Sequence, residues 1–110
     1  MDKNKKTKNK EIDINNDFLL SSQIGGWVYI LRSKKDGNLY IGSTNNLRKR
    51  FAEHNSGKVF STKSRIPFEL IYYEAYKAEE DARRREKNLK LRSKAFTQLK
   101  KRIKNSLFSN

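Results

Sequence analysis

Tyr29, Tyr40, Arg50, His54 and Glu86 follow one another along the chain as two phenols, a guanidinium, an imidazole and a carboxylate. Together such groups can hold a metal ion on a phosphodiester, activate a water and steady the oxyanion that forms. Arg50 and His54 lie four residues apart on a predicted helix, so their side chains stack on one face and are expected to reach the same phosphate. Arginine would clamp the phosphoryl oxygens through its fork of donors, and histidine would donate a hydrogen bond or move a proton. On their own, an arginine and a histidine on a basic helix are usually solvated bystanders, so the other three residues matter.

Tyr29 and Tyr40 fall on two predicted strands of a hairpin. A two-residue turn at Asp36-Gly37 puts both rings on the same face but separates them by about 13 Å at strand rise, so a different loop is needed to join them. Glu86 sits at the edge of a helical stripe formed by Ala78, Ala82, Arg85 and Leu89. It is the candidate protein ligand of one hard divalent ion, because Mg²⁺ keeps several waters and takes only one or two carboxylates. Glu79, Glu80 and Asp81 better fit the negative charge favoured at a helix N-terminus. Gly42-Ser43-Thr44 leads into the first helix, where a glycine allows close backbone approach to a ligand and free N–H groups can face an anion.

The formal charge of +14 and pI near 10.1 make a polyanion, nucleic acid first, the expected partner. Residues 1–26 contain lysines and acids in nearly equal number, so almost all of the excess lies on the part expected to fold. Ser43, Asn46, Arg48, Lys49, Lys63 and Arg65 are the candidate nucleic-acid contacts. With no cysteine and one histidine, a disulfide framework, a thiolate nucleophile and a Cys/His zinc site are excluded. Any metal must be oxygen-ligated, Mg²⁺ or Mn²⁺. No apolar run approaches the roughly 20 residues of a membrane span, and no secretory signal is evident, which makes the cytoplasm the expected compartment.

Positioning these residues requires few elements. Residues 1–24 read as a polar and basic extension, disordered at least to about residue 17, and as the candidate segment for recruiting a protein partner. Residues 25–106 form the expected domain and 107–110 a short tail. Trp27–Leu31 and Leu39–Gly42 are predicted strands, followed by a helix from Asn45 to Gly57 with both ends marked, and a polar surface loop from Lys58 to Pro67. Phe68–Ala75 is the third strand, with helices at 77–90 and 93–104, the last placing Phe96, Leu99 and Ile103 at helical spacing. The order is β-β-α-β-α-α, an α+β fold.

The runs Val28-Tyr29-Ile30-Leu31, Tyr40-Ile41-Gly42-Ser43-Thr44-Asn45-Asn46-Leu47-Arg48-Lys49-Arg50, Glu53-His54-Asn55-Ser56-Gly57 and Arg85-Glu86-Lys87-Asn88-Leu89-Lys90 together resemble the GIY-YIG nuclease superfamily. The likeness is greatest to small single-domain bacterial members related to the first incision domain of the excision-repair protein UvrC. It implies a three-stranded antiparallel sheet flanked by helices, with both tyrosines converging on a basic cleft. It further implies that Tyr29 deprotonates the attacking water, aided by Tyr40 and the ion. Arg50 and His54 would contact the scissile phosphate, and Glu86 would anchor Mg²⁺ or Mn²⁺. A phenol is a poor base near neutral pH unless cations lower its pKa, and the ion and basic residues are expected to do so. Trp27-Val28-Tyr29 replaces the family's Gly-Ile-Tyr, Ser43 stands where UvrC-like domains often carry lysine, and Gln98 stands where some relatives carry asparagine. The resemblance thus implies a metal-dependent endonuclease that nicks DNA in repair, recombination or processing, without a small-molecule cofactor. The alternative is a non-catalytic nucleic-acid-binding module on the same scaffold, and a basic RNA-associated protein is a third, less specific, reading.

Overall fold

The computed structural model describes residues 23–91 and 94–109, so the expected disorder of the N-terminal extension lies outside the described residues. Three strands, β1 (Gly26–Ser33), β2 (Leu39–Thr44) and β3 (Phe68–Tyr76), form an antiparallel sheet in the order β2-β1-β3. Helix α1 (Leu47–Asn55) follows β2, and α2 (Glu79–Lys90), α3 (Lys94–Arg102) and the short α4 (Lys104–Leu107) follow β3. The α+β architecture and its element order are those expected. The single C-terminal helix expected at 93–104 is instead two, divided at Ile103.

Strand β1 is central and covered on both faces, so Trp27, Val28, Tyr29, Ile30 and Leu31 are all buried. Alternation then sorts them. Val28 and Ile30 pack with Ile71, Ala82, Leu89, Leu99 and Ile103 under the C-terminal helices. Trp27, Tyr29 and Leu31 face the other way, with Leu47 of α1 and Phe68. A bulge in the β1–β3 pairing, between Ile30 and Leu31, lets Ile71 turn inward to the first of these clusters.

The hairpin register differs from the expected one by two residues, because the Asp36-Gly37 pair is not a two-residue turn. Gly37 donates to the Ser33 carbonyl (2.8 Å) and adopts φ +75°, which closes a longer loop and pairs Arg32 with Leu39. Ser33 is wholly buried and organises that loop. Its Oγ accepts from the backbone N–H groups of Lys35 and Asp36 at 3.0 and 3.1 Å and donates to the Arg65 carbonyl at 2.6 Å.

Two further devices set the helices. Asn46 caps α1 by accepting from the Lys49 N–H at 3.1 Å, and the Asn55 amide exchanges a pair of bonds with the Phe68 backbone, at 3.1 and 2.6 Å, as another strand would. On the opposite face, Arg85 makes two 3.0 Å bonds to Glu74, which also accepts from the Tyr72 and Tyr76 hydroxyls at 2.8 and 2.5 Å. Within the expected tail, Leu107 ends α4, and Arg32 donates to the carbonyls of Leu107 and Ser109. Among the described residues no helix is long and apolar enough to cross a membrane.

Candidate functional site

The altered hairpin register is what joins the tyrosines. Tyr29 opposes Gly42 and Tyr40 opposes Leu31, so the two phenols are diagonal neighbours on one face, with ring centroids 6.3 Å apart. A Cβ at position 42 would lie 2.5 Å from Tyr29 Cζ and closer still to its oxygen. Glycine here therefore makes room for the Tyr29 hydroxyl across β2, where the expectation was a backbone approaching a ligand.

Tyr29 Oη lies 2.9 Å from His54 Nε2, and His54 Nδ1 lies 2.9 Å from the Thr62 hydroxyl. All three side chains are essentially inaccessible. The His54 ring also stacks edge-on against Tyr40 and Phe68, at centroid separations of 5.0 and 5.8 Å. Burial, reinforced by the Arg50 charge and opposed by Glu53, lowers the His54 pKa to about 4, so the imidazole is neutral at physiological pH. Burial likewise raises the Tyr29 pKa well above its ordinary value, Tyr40 and Glu86 adding to the effect while Arg50 opposes it. The expectation that neighbouring basic residues lower this phenol is thus corrected: desolvation outweighs them, and the protein alone holds Tyr29 protonated.

Arg50 and His54 share a helical face as expected, yet they do not present a common surface. Arg50 keeps 39% of its side chain exposed, pairs with Glu53 at 3.1 Å and borders a cleft. His54, one turn further along, is closed over by β3 and by the loop that carries Thr62, and both its nitrogens are engaged. Direct contact between His54 and a phosphate, implied by the resemblance, is not available in this arrangement.

Glu86 approaches from the other side. Helix α2 packs beneath the sheet, and because β2 is an edge strand Glu86 can reach Ser43, whose Oγ donates to Oε1 at 2.5 Å. Its other oxygen pairs with Lys90 at 2.5 Å, and the Lys90 ammonium sits 5.8 Å from the Tyr40 ring centroid. Among the described residues no group of three or more His, Cys, Asp or Glu side chains could cage a metal. A lone, partly exposed carboxylate beside a cleft nevertheless fits a hard ion that keeps most of its shell as water and substrate oxygens. Such an ion would compete with Lys90 for Oε2.

The cleft, of 310 Å³, is lined by Ser43, Asn46, Lys49, Arg50, Glu53 and Glu79, among others. Of the six candidate nucleic-acid contacts, Ser43, Asn46 and Lys49 line it, although the Asn46 side chain is already the cap of α1. Arg48 is exposed on the adjoining turn. Lys63 and Arg65 lie elsewhere, toward the hairpin loop. Lys63 covers the Phe60 ring at 5.0 Å, and Arg65 pairs with Asp36 at 2.8 Å and donates to the Asn38 carbonyl at 3.1 Å. Thr62 escaped sequence reasoning, since the 58–67 stretch reads as a polar surface loop. The one hint was Val59, an apolar residue amid lysines, which is buried and anchors the same loop.

Residues 25–105 match the GIY-YIG catalytic domain. The chain is 43% identical over 65 residues to a UPF0213 protein of Staphylococcus haemolyticus, covering 58% of this chain and 78% of that one. It is 41% identical over 76 residues to a UPF0213 protein of Bacillus pumilus, covering 68% and 72%. A solution NMR structure of a UPF0213 protein from Bacillus halodurans is 36% identical, covering 67% of this chain and 79% of that chain, with a TM-score of 0.42.

Proposed function

This chain belongs to the GIY-YIG catalytic-domain family, and on that premise we propose that it is a divalent-metal-dependent endonuclease that nicks DNA by hydrolysing a phosphodiester bond. One observation carries the reading. A buried tyrosine hydroxyl lies 2.9 Å from a neutral imidazole nitrogen and is hydrogen-bonded by Arg50, which itself lines a cleft on a strongly basic protein.

In this reading the water oxygen forms a bond to phosphorus as the bond to the leaving alkoxide breaks. Tyr29 takes the proton of the attacking water while its own phenolic proton passes to His54 Nε2. No free phenolate accumulates, and the imidazolium that the relay forms against the lowered pKa of His54 would be stabilised by the negative charge of the bound phosphodiester. Arg50 compensates the charge that grows on the phosphoryl oxygens. Glu86 would hold Mg²⁺ or Mn²⁺, with Ser43 orienting the carboxylate; the ion, when bound, supplies Lewis-acid stabilisation of the leaving oxygen. The substrate, DNA engaged in repair, recombination or processing, would be drawn to the cleft by Lys49 and the exposed Arg48.

The test is conversion of supercoiled plasmid to the nicked form with Mg²⁺ or Mn²⁺, with a chelator control. Glu86→Ala should lower nicking at least about 100-fold while salt-sensitive DNA affinity stays nearly unchanged. Nicking that persists undiminished in Glu86→Ala overturns the metal assignment. Wild-type protein that binds but cuts no DNA with any divalent ion favours the non-catalytic binding module.

A further inference from the structure

We infer that Thr62 is a positioning residue for this site: its hydroxyl accepts the Nδ1 proton of His54 and so leaves Nε2 as the acceptor that Tyr29 needs. The inference rests on the nuclease reading for its purpose, but its geometry stands on its own. A neutral imidazole carries one proton, and which nitrogen holds it is decided by the partner of each. At Nδ1 the partner is a hydroxyl, able in principle to donate or to accept. The ambiguity is resolved from the other end of the ring, because Tyr29 Oη is hydrogen-bonded by Arg50, which can only donate. The Val59 carbonyl, 3.4 Å from Thr62 Oγ1 and already accepting the Thr62 N–H at 3.0 Å, offers the hydroxyl proton only a long, weak second contact.

With Arg50 supplying a proton to Tyr29 Oη, the phenolic proton turns to His54, and the Thr62 lone pair is left to face Nδ1. Nδ1 must then carry the imidazole proton, and Nε2, 2.9 Å from Tyr29 Oη, must receive the phenolic one. The opposite tautomer would set Nε2–H against a Tyr29 oxygen to which Arg50 already donates, and would fill the ring nitrogen that the relay needs as acceptor. Burial makes the choice binding, since Thr62 and His54 are 1% and 0% exposed and water cannot stand in for either partner. The other groups facing the ring are Tyr29 from β1, Tyr40 from β2, and Arg50 and Glu53 from its own helix; none of them touches Nδ1.

The chain contains a single histidine, so the imidazole resonances of ¹⁵N-labelled protein belong to His54 alone. Long-range ¹H–¹⁵N spectra of the full chain, without DNA, near pH 7, should show a protonated Nδ1 and an unprotonated Nε2. Thr62→Val should erode that preference into a mixture and lower kcat for plasmid nicking roughly tenfold with KM within about twofold, and Thr62→Ser should restore both. A wild-type tautomer with the proton on Nε2 overturns the inference. So does a folded Thr62→Val protein with wild-type tautomer and kcat. If Thr62→Val does not fold, the wild-type and Thr62→Ser tautomers decide the matter. Should the tautomer respond as expected in a protein that cuts no DNA, it is the nuclease reading that falls and the positioning role that remains.

Discussion

The two faces of the sheet bury polar groups in opposite ways. Beneath it, Glu74 is a charge held by other charges and dipoles: two bonds from Arg85 and one each from Tyr72 and Tyr76. Burial works against that carboxylate, yet those donors hold its pKa below the usual range, and the two phenols are pushed up to about 12. Above it, Tyr29, His54 and Thr62 are neutral and linked in series. The first arrangement satisfies every partner and leaves no proton with anywhere to go, so it serves to join α2 to β3. The second runs in series and, with the tautomer inferred above, has a direction, which is what proton transfer requires. On the nuclease reading, buried polarity in one small domain thus divides between holding and reacting.

That division can be broken most directly at the two sets of tyrosines. Tyr29→Phe should cut plasmid nicking by at least about 10³-fold, roughly 4 kcal/mol of barrier, while costing only about 1 kcal/mol in denaturant unfolding. Comparable losses in both assays would mean that Tyr29 is structural, like its counterparts on the other face. The second effect is on stability against pH. His54 titrates near 4 in the fold and at its ordinary 6.5 when unfolded, so the unfolded chain binds the extra proton first as pH falls. Stability should therefore be intact above pH 6.5 and decline toward pH 4 by on the order of 3 kcal/mol. Asp36 and Glu74, whose pKa values are lowered, keep their full contribution above their unfolded values of 3.8 and 4.5 and lose it only as pH falls below them. The interval between pH 6.5 and 5 then isolates the imidazole, and His54→Gln should be flat across it in urea titrations. The smallest effect sharpens the contrast: Tyr76→Phe removes one donor from Glu74 and should cost about 1 kcal/mol with nicking rates unchanged.

Much of this was legible in the chain. Alternation and helical spacing yield the three strands and the helices that follow, because Val28, Ile30, Leu89 and Leu99 obey the periods their elements impose. The five residues of the candidate site were legible as an ordered set, but their arrangement was not. The Asp-Gly pair suggested a tight turn, and the register depends on the buried Ser33, whose hydroxyl gathers a loop that local signals cannot distinguish from a shorter one. His54 looked like a surface residue on a basic helix, since its depth is decided by Phe68 and Thr62, distant in sequence and brought over it by the fold. Thr62 itself has no periodic neighbours to betray it.

The position of β2 at the margin of the sheet has one more consequence. Its outer backbone rim is a place where a foreign strand could add itself and begin an aggregate, and charged side chains deter such additions. Glu86 and Lys90, reaching toward Ser43 and Tyr40, stand along that rim. These charges on α2 are therefore also sentries for solubility, and stripping them should let copies of the chain zip together.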